Sequence, residues 1–176
     1  MKNVTRLLSG LCLSVLLPWS VQAAQTFNYP SDEPVFSIAF PDSWKTEVED
    51  DELTAKTPDE AIEINLWALD NEDLKGVGES LLEQAAGEVG EIIDEWVKDF
   101  NVSSTDAFEL GGIQFIELTG SGIGVEDGEP LTVAVDFFSP DNKNLFVLMY
   151  WGEPDADKTY HNDLKAIVQS IKAQSE

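Results

Sequence analysis

Hydrophobic and polar residues alternate along several short stretches of this chain, which is the pattern of β-strands with one buried face. The stretch at residues 35–40 (VFSIAF) places Phe36, Ile38 and Phe40 on one face. The next four residues, Pro41-Asp42-Ser43-Trp44, predict a turn, because proline fixes φ and Asp and Ser bond their own backbone.

An acidic hairpin is predicted after this turn. Lys45–Glu49 and Leu53–Thr57 form two short predicted strands, and five of the eight residues at 46–53 (TEVEDDEL) are acidic. Tight hairpin turns tolerate aspartate, so we interpret the cluster as a solvated hairpin tip. A weak divalent-cation site is the alternative, although the spacing of an EF-hand loop is missing here. Its candidate ligands are Glu49, Asp50, Asp51 and Glu52.

The stretch Ala61–Leu69 (AIEINLWAL) predicts a further strand with a mixed outer face. Glu63, Asn65 and Trp67 share that face and are weak candidates for a partner-binding surface. Trp67 has two interpretations, as core beneath a helix or as part of that surface, because tryptophan is common in both places.

The hydrophobic period changes from 2 to 3.6 after this strand. Apolar residues recur every three or four positions from Leu74 to Trp96 and Phe100, which predicts one long amphipathic helix. The chain ends with a second predicted helix, whose apolar face includes Tyr160, Leu164 and Ile167.

Four more strands are predicted between the two helices. Ala107–Leu110 and Ile113–Thr119 flank Gly111-Gly112, a two-residue hairpin signature, and Leu131–Phe138 follows. Leu145–Trp151 (LFVLMYW) is apolar on both faces, so it should lie centrally with cover on each side. We therefore expect an α+β fold: a three-layer α/β/α sandwich with a mainly antiparallel sheet, one long helix in mid-chain and one C-terminal helix.

Residues 1–23 have the layout of a secretory signal peptide. Lys2 and Arg6 precede an apolar run of about 11 residues, and small residues end the segment near Ala23. A lipoprotein anchor at Cys12 is the alternative. We expect cleavage near Ala23, an extended arm at 24–34 and a single domain at 35–176, located in the periplasm of a Gram-negative bacterium or secreted. The apolar run is shorter than a bilayer span, so we expect no stable membrane insertion.

The charge after residue 23 is strongly negative. All 34 acidic residues lie there with 8 lysines and no arginine, a balance of 8 − 34 = −26. Such a surface repels phosphate backbones and anionic lipid heads, so nucleic-acid binding is excluded. It favours basic partners and cations, and we expect an envelope or periplasmic protein as partner, with a divalent cation as a further possibility.

Reactive groups are few. His161 is the only histidine, and the only cysteine leaves with the predicted signal peptide. The glycine-rich stretch 120–124 (GSGIG) lacks the lysine and the following helix of a phosphate loop, so we interpret it as a strand end or bulge. We identify no catalytic residue and no cofactor-binding residue. Paired carboxylates are the remaining route to catalysis, so a carboxylate-based hydrolase ranks third among the functions.

The stretch FSIAFPDSW at 36–44, followed by hairpins, a long helix, a meander and a C-terminal helix, resembles the PsbP-like superfamily. That superfamily includes the extrinsic PsbP subunit of photosystem II, a small Ran-binding nuclear protein and DcrB-type bacterial envelope proteins. The resemblance implies an α/β/α sandwich without catalysis that serves assembly or binding. Our first hypothesis is therefore a non-enzymatic exported binding or assembly accessory protein. A weak divalent-cation or small-ligand carrier is the second.

Overall fold

The computed structural model describes residues 24–49, 51–69, 89–90, 92–141 and 143–174. Two helical segments and ten strands are present in these ranges. In chain order they are β1 (Ala24–Tyr29), β2 (Phe36–Pro41), β3 (Lys45–Glu49), β4 (Glu52–Lys56), β5 (Ile62–Leu69), α1 (helical residues 89–90 and 92–96), β6 (Val97–Leu110), β7 (Ile113–Gly124), β8 (Pro130–Phe138), β9 (Leu145–Gly152), α2 (Pro154–Ser170) and β10 (Lys172–Ala173).

The strands form one large and one small sheet. Seven strands make the large sheet in the order β3-β4-β5-β9-β8-β7-β6, and β1, β2 and β10 make the small one. Each described strand pairing is antiparallel. The expectation of an α+β fold with a mainly antiparallel sheet is confirmed.

Strand β9 is the middle strand of the seven, as its composition predicted. Phe146 and Leu148 pack into a core on one face of the sheet, while Val147 and Met149 pack into a separate core on the other. A strand that is apolar on both faces is stable only where both faces are covered, which is the case at the centre of this sheet.

The small sheet and α2 together cover the first face of the large sheet. Phe36, Ile38 and Phe40 of β2 are fully buried there, and the Phe36 ring lies 4.9 Å from that of Phe146. Burial of each such side chain contributes about 1.5–3 kcal/mol. This layer is part sheet and part helix, whereas we expected a helical layer, because the inward-facing strand β2 pairs with β1 and β10 rather than with the large sheet.

The second face carries α1 and three tryptophans. Val89 and Ile93 of α1 are buried against the sheet, with Trp67, Trp96 and Trp151 partly buried around them. The Trp96 and Trp151 rings stack at 5.0 Å between centroids and 18° between planes. Trp67 therefore belongs to the margin of this core.

The predicted mid-chain helix ends earlier than expected. Residues 70–88 lie outside the described ranges, and α1 stops at residue 96. Placing Phe100 on the helix was wrong, since β6 begins at Val97 and pairs with β7 from Gly124 onward. The long-range backbone pairing to β7 outweighs the local helical period.

Glycines in β7 explain why β6 can lie so close. A Cβ on Gly122 would lie 2.3 Å from a methyl of Val97, and one on Gly120 would lie 2.5 Å from the Asn101 carbonyl oxygen. The stretch 120–124 forms the end of β7, as predicted, and it lies opposite irregularities in the register of β6 between Lys98 and Asn101 and between Val102 and Ser104. Its glycines serve close strand approach.

Candidate binding cavity beneath the C-terminal helix

The acidic hairpin tip lies in solvent. Glu49 and Glu52 face each other across the β3–β4 pair, and Asp51 occupies the turn with φ of 63°. All three are exposed, and Asp50 lies outside the described residues. Among the residues that the structure describes, no group of three or more His, Cys, Asp or Glu side chains is arranged to hold a metal ion.

A tyrosine anchors this hairpin through its backbone. The Tyr29 hydroxyl donates to the carbonyl oxygen of Asp51 and lies 3.2 Å from that of Leu66. Tyr29 itself is buried between Phe36 and Phe146, whose rings contact it. The tip is therefore held by a main-chain oxygen, and its carboxylates stay in water.

The outer face of β5 has a mixed character. Glu63 is partly exposed and forms an ion pair with Lys56 at 3.0 Å. Asn65 is only 4% exposed and its Oδ1 has no hydrogen-bond partner, and the buried indole N–H of Trp67 has none either. A shallow groove of about 450 Å³ runs over this face, lined mainly by glutamates from β3, β4 and β5.

A second recess lies between α2 and the large sheet. A cavity of about 380 Å³ opens there, within the usual range for small-ligand sites. Its walls are mostly apolar, and its polar lining comes from one glutamate, one tyrosine and the exposed residues of α2. The lining residues are Phe108, Leu110, Glu117, Tyr150, His161, Leu164, Lys165, Val168 and Gln169.

Asp136 of β8 does not line this cavity itself, but it lies next to Glu117, which does. It pairs in register with Glu117 of β7 on one side and with Leu148 of β9 on the other. Side chains two residues apart on a strand share a face, so Asp136 faces the same side as Phe138, which packs in the first core. Asp136 is 0% exposed, and neither carboxyl oxygen has a hydrogen-bond partner.

Burial raises the pKa of Asp136 to about 8, and the negative charge of Glu117 contributes further. The pKa of Glu117 is raised in turn by its own burial and by Asp106. Directly opposed residues in an antiparallel pair have Cβ atoms about 5 Å apart, so the two carboxyls are close enough to oppose each other's ionisation.

Tyr150 completes the polar part of the cavity. Its hydroxyl lies 3.4 Å from Oδ1 of Asp157 on α2, and its pKa is raised, first by burial and then by Asp157, Glu117 and Asp136. Glu117, Asp136 and Tyr150 thus place three oxygen-bearing groups on the neighbouring strands β7, β8 and β9, on the face that α2 covers. Such a set can accept hydrogen bonds from a donor group or hold a positive charge.

This cluster was not predicted from the sequence. Candidate acids were chosen by their density along the chain, whereas Asp136 is a single acid and is buried. The available signal was a single acid within the apolar strand LTVAVDFF at 131–138. His161, by contrast, is exposed on α2.

No helix in the described ranges has both the length and the apolar composition needed to cross a bilayer. Comparison with known proteins gives no matching family model and no matching curated relative.

Solved structures do match the fold. Cyanobacterial PsbP (CyanoP) from Synechocystis sp. PCC 6803 matches with a TM-score of 0.59 and 11% identity over 94% of this chain and 98% of its own. LpqN from Mycobacterium tuberculosis matches with a TM-score of 0.57 and 19% identity over 86% of this chain and 92% of its own. Mog1p from Saccharomyces cerevisiae matches with a TM-score of 0.55 and 8% identity over 85% of this chain and 95% of its own. The chain therefore has a PsbP-like fold.

Proposed function

We propose that this chain is an exported, non-enzymatic binding protein whose cavity beneath α2 receives a group of another envelope component. The observation that carries the proposal is a preformed recess of about 380 Å³ lined by Glu117, whose neighbour in the sheet is a buried carboxyl without a hydrogen-bond partner. Buried polar groups are normally satisfied, and an exception calls for a reason such as a ligand.

The structural neighbours support a role in binding. LpqN is involved in cell envelope biogenesis, and Mog1p is a Ran-binding protein. A non-enzymatic binding or accessory role is compatible with these neighbours. Its strongly acidic composition favours basic or cationic partners.

Export rests on residues 1–23, which lie outside the described part of the structure. Mass spectrometry of the mature protein tests it: a free N-terminus near Ala23 is the expected result. A diacyl modification on Cys12 would instead assign a lipoprotein anchor.

Blocking the cavity tests the binding role. Val168 is half-buried and lines the cavity, while Ala166 lies on the same helix, is exposed and does not line it. We expect Val168→Trp to lose the partners that the wild type captures from an envelope extract, and Ala166→Trp to keep them. Equal capture by both variants would contradict the use of this cavity.

A carboxylate-based hydrolase, third in the ranking from the sequence, is the alternative that the neighbouring carboxyls of Glu117 and Asp136 favour. Glycosidases act with two such groups. A panel of chromogenic glycosides and esters separates the two functions. Turnover that Asp136→Asn abolishes would replace the binding role, and we expect no turnover.

A further inference from the structure

We propose, on the basis of the binding function above, that the cavity beneath α2 takes an alkylammonium group, carried either by a free aliphatic amine or by a lysine side chain. Its charged end would meet Glu117 and Tyr150, with Asp136 next to Glu117 in the sheet, and its methylene chain would lie against the apolar walls.

The polar groups of the site match the donors of an ammonium. An ammonium has three N–H donors and no acceptor. Carboxylate oxygens of Asp136 and Glu117 accept hydrogen bonds, and so does the hydroxyl oxygen of Tyr150. Both oxygens of Asp136 are buried without a hydrogen-bond partner, so its negative charge, when ionised, acts on the cavity from beside Glu117. An anionic ligand would instead face two acids beneath the same cavity.

Charge balance also favours a cation. Two carboxyls side by side in a poorly hydrated site oppose each other's ionisation, and a cation next to them lowers that cost. Other titratable groups act from the surrounding elements: Asp157 of α2 next to Tyr150, and Asp106 of β6 near Glu117. His161 and Lys165 of α2 are exposed where they line the cavity, so they lie at its solvent side.

The walls suit an aliphatic chain. Phe108, Leu110, Leu164 and Val168 supply most of the apolar lining, and the Phe108 ring is stacked on Phe115 at 5.2 Å. Long amphipathic side chains bury their methylene groups along apolar surface and keep the charged end in polar surroundings. Here the polar surroundings lie at the sheet.

Calorimetry with n-hexylammonium and n-hexanol tests the proposal, since the two probes differ in charge but share the same chain. We expect hexylammonium to bind about tenfold or more tightly than hexanol, as a charge-assisted hydrogen bond would produce. Because Asp136 has a pKa of about 8, the binding of a cation at neutral pH should release a proton. Titrations in two buffers of different ionisation enthalpy measure that proton.

Two variants identify the carboxyls. Asp136→Asn keeps the shape of the side chain but removes the charge. We therefore expect the affinity for hexylammonium to fall about tenfold or more. Proton release should be absent, and the affinity for hexanol should be unchanged. Glu117→Gln provides a second test at the cavity wall and should also weaken hexylammonium. Equal binding of the two probes, or full retention of hexylammonium binding in Asp136→Asn, would overturn the proposal.

Nα-acetyl-lysine methylamide distinguishes the source of the group. Binding of hexylammonium alone assigns a free amine, and binding of the lysine derivative assigns a lysine side chain of a partner. If neither probe binds, the inference is refuted, but the binding function still stands if Val168→Trp loses its partners.

The opposite outcome separates the two proposals as well. If hexylammonium binds and Val168→Trp captures partners as well as Ala166→Trp does, the binding function is refuted and the cation site stands.

Discussion

Two groups of carboxyls in this molecule differ in almost every physical respect. Glu49, Asp51 and Glu52 crowd one hairpin tip and are exposed. Asp136 and Glu117 are single acids on neighbouring strands, the first fully buried and the second partly so. The dense group attracts attention in the sequence, whereas the sparse group lies beside the cavity.

The difference shows that surroundings matter more than local abundance. Water solvates each carboxylate of the tip, so these charges can lie close together at small cost. Asp136 has lost that hydration without gaining a hydrogen bond, which raises the free energy of its ionised form. A group in this condition responds strongly to a ligand, a proton or a substitution.

The largest expected effect concerns stability at Asp136. We expect Asp136→Asn to raise the free energy of unfolding near pH 8 by about 2–4 kcal/mol, because it removes an ionisable group from a site without a partner. Glu52→Gln changes a solvated acid in the same way and should stay within about 0.5 kcal/mol of the wild type. Urea titration of the three proteins measures both.

The stability difference between Asp136→Asn and the wild type should depend on pH. In the unfolded chain Asp136 should ionise near pH 4, while its pKa in the folded protein is about 8. Between those values the native state holds a proton that the unfolded state has lost, so wild-type stability falls as pH rises. The advantage of Asp136→Asn should therefore shrink towards pH 4. A variant that is less stable than the wild type at both ends of this range would contradict our account of the site.

Much of the fold followed from periodicity. Alternation in β2 and β5 gave the correct inward face, and the doubly apolar sequence of β9 gave its central position. The Gly111-Gly112 turn was also correct, since both residues have positive φ in the hairpin that joins β6 to β7. These features depend on neighbours in the chain, which a sequence pattern records.

The buried acid could not be found in that way. Alternation assigns Asp136 to one face of β8, but the layer that covers this face comes from α2 and the small sheet, distant in the chain. The predicted end of α1 was wrong for the same kind of reason, because Val97 lies opposite glycines of β7 and pairs with that distant strand. Local patterns predict which residues share a face, but long-range packing determines whether that face is exposed to solvent.

A smaller effect is expected where the tip is anchored. Tyr29→Phe removes the hydroxyl that donates to the main-chain oxygen of Asp51, and we expect a loss of about 1–1.5 kcal/mol in unfolding free energy. Asp51→Asn keeps that oxygen and tolerates the positive φ, so it should be close to neutral. If Asp51→Asn cost more than Tyr29→Phe in the same denaturant titration, the carboxylate would have a structural role that we do not assign to it.

The smallest expected effect is that of calcium on the hairpin tip. Calcium needs six to eight oxygen ligands, and the described acids of the tip point into water without forming such a cage. With a dissociation constant of about 1 mM or weaker, calcium at about 1 mM should add no more than ~0.4 kcal/mol to stability. Calcium should then raise the melting temperature of the wild type no more than that of the double variant Glu49→Gln, Glu52→Gln, and both changes should be small. A rise in melting temperature that is present only in the wild type would place a cation at the tip, and abundance would then have been a better guide to function than burial.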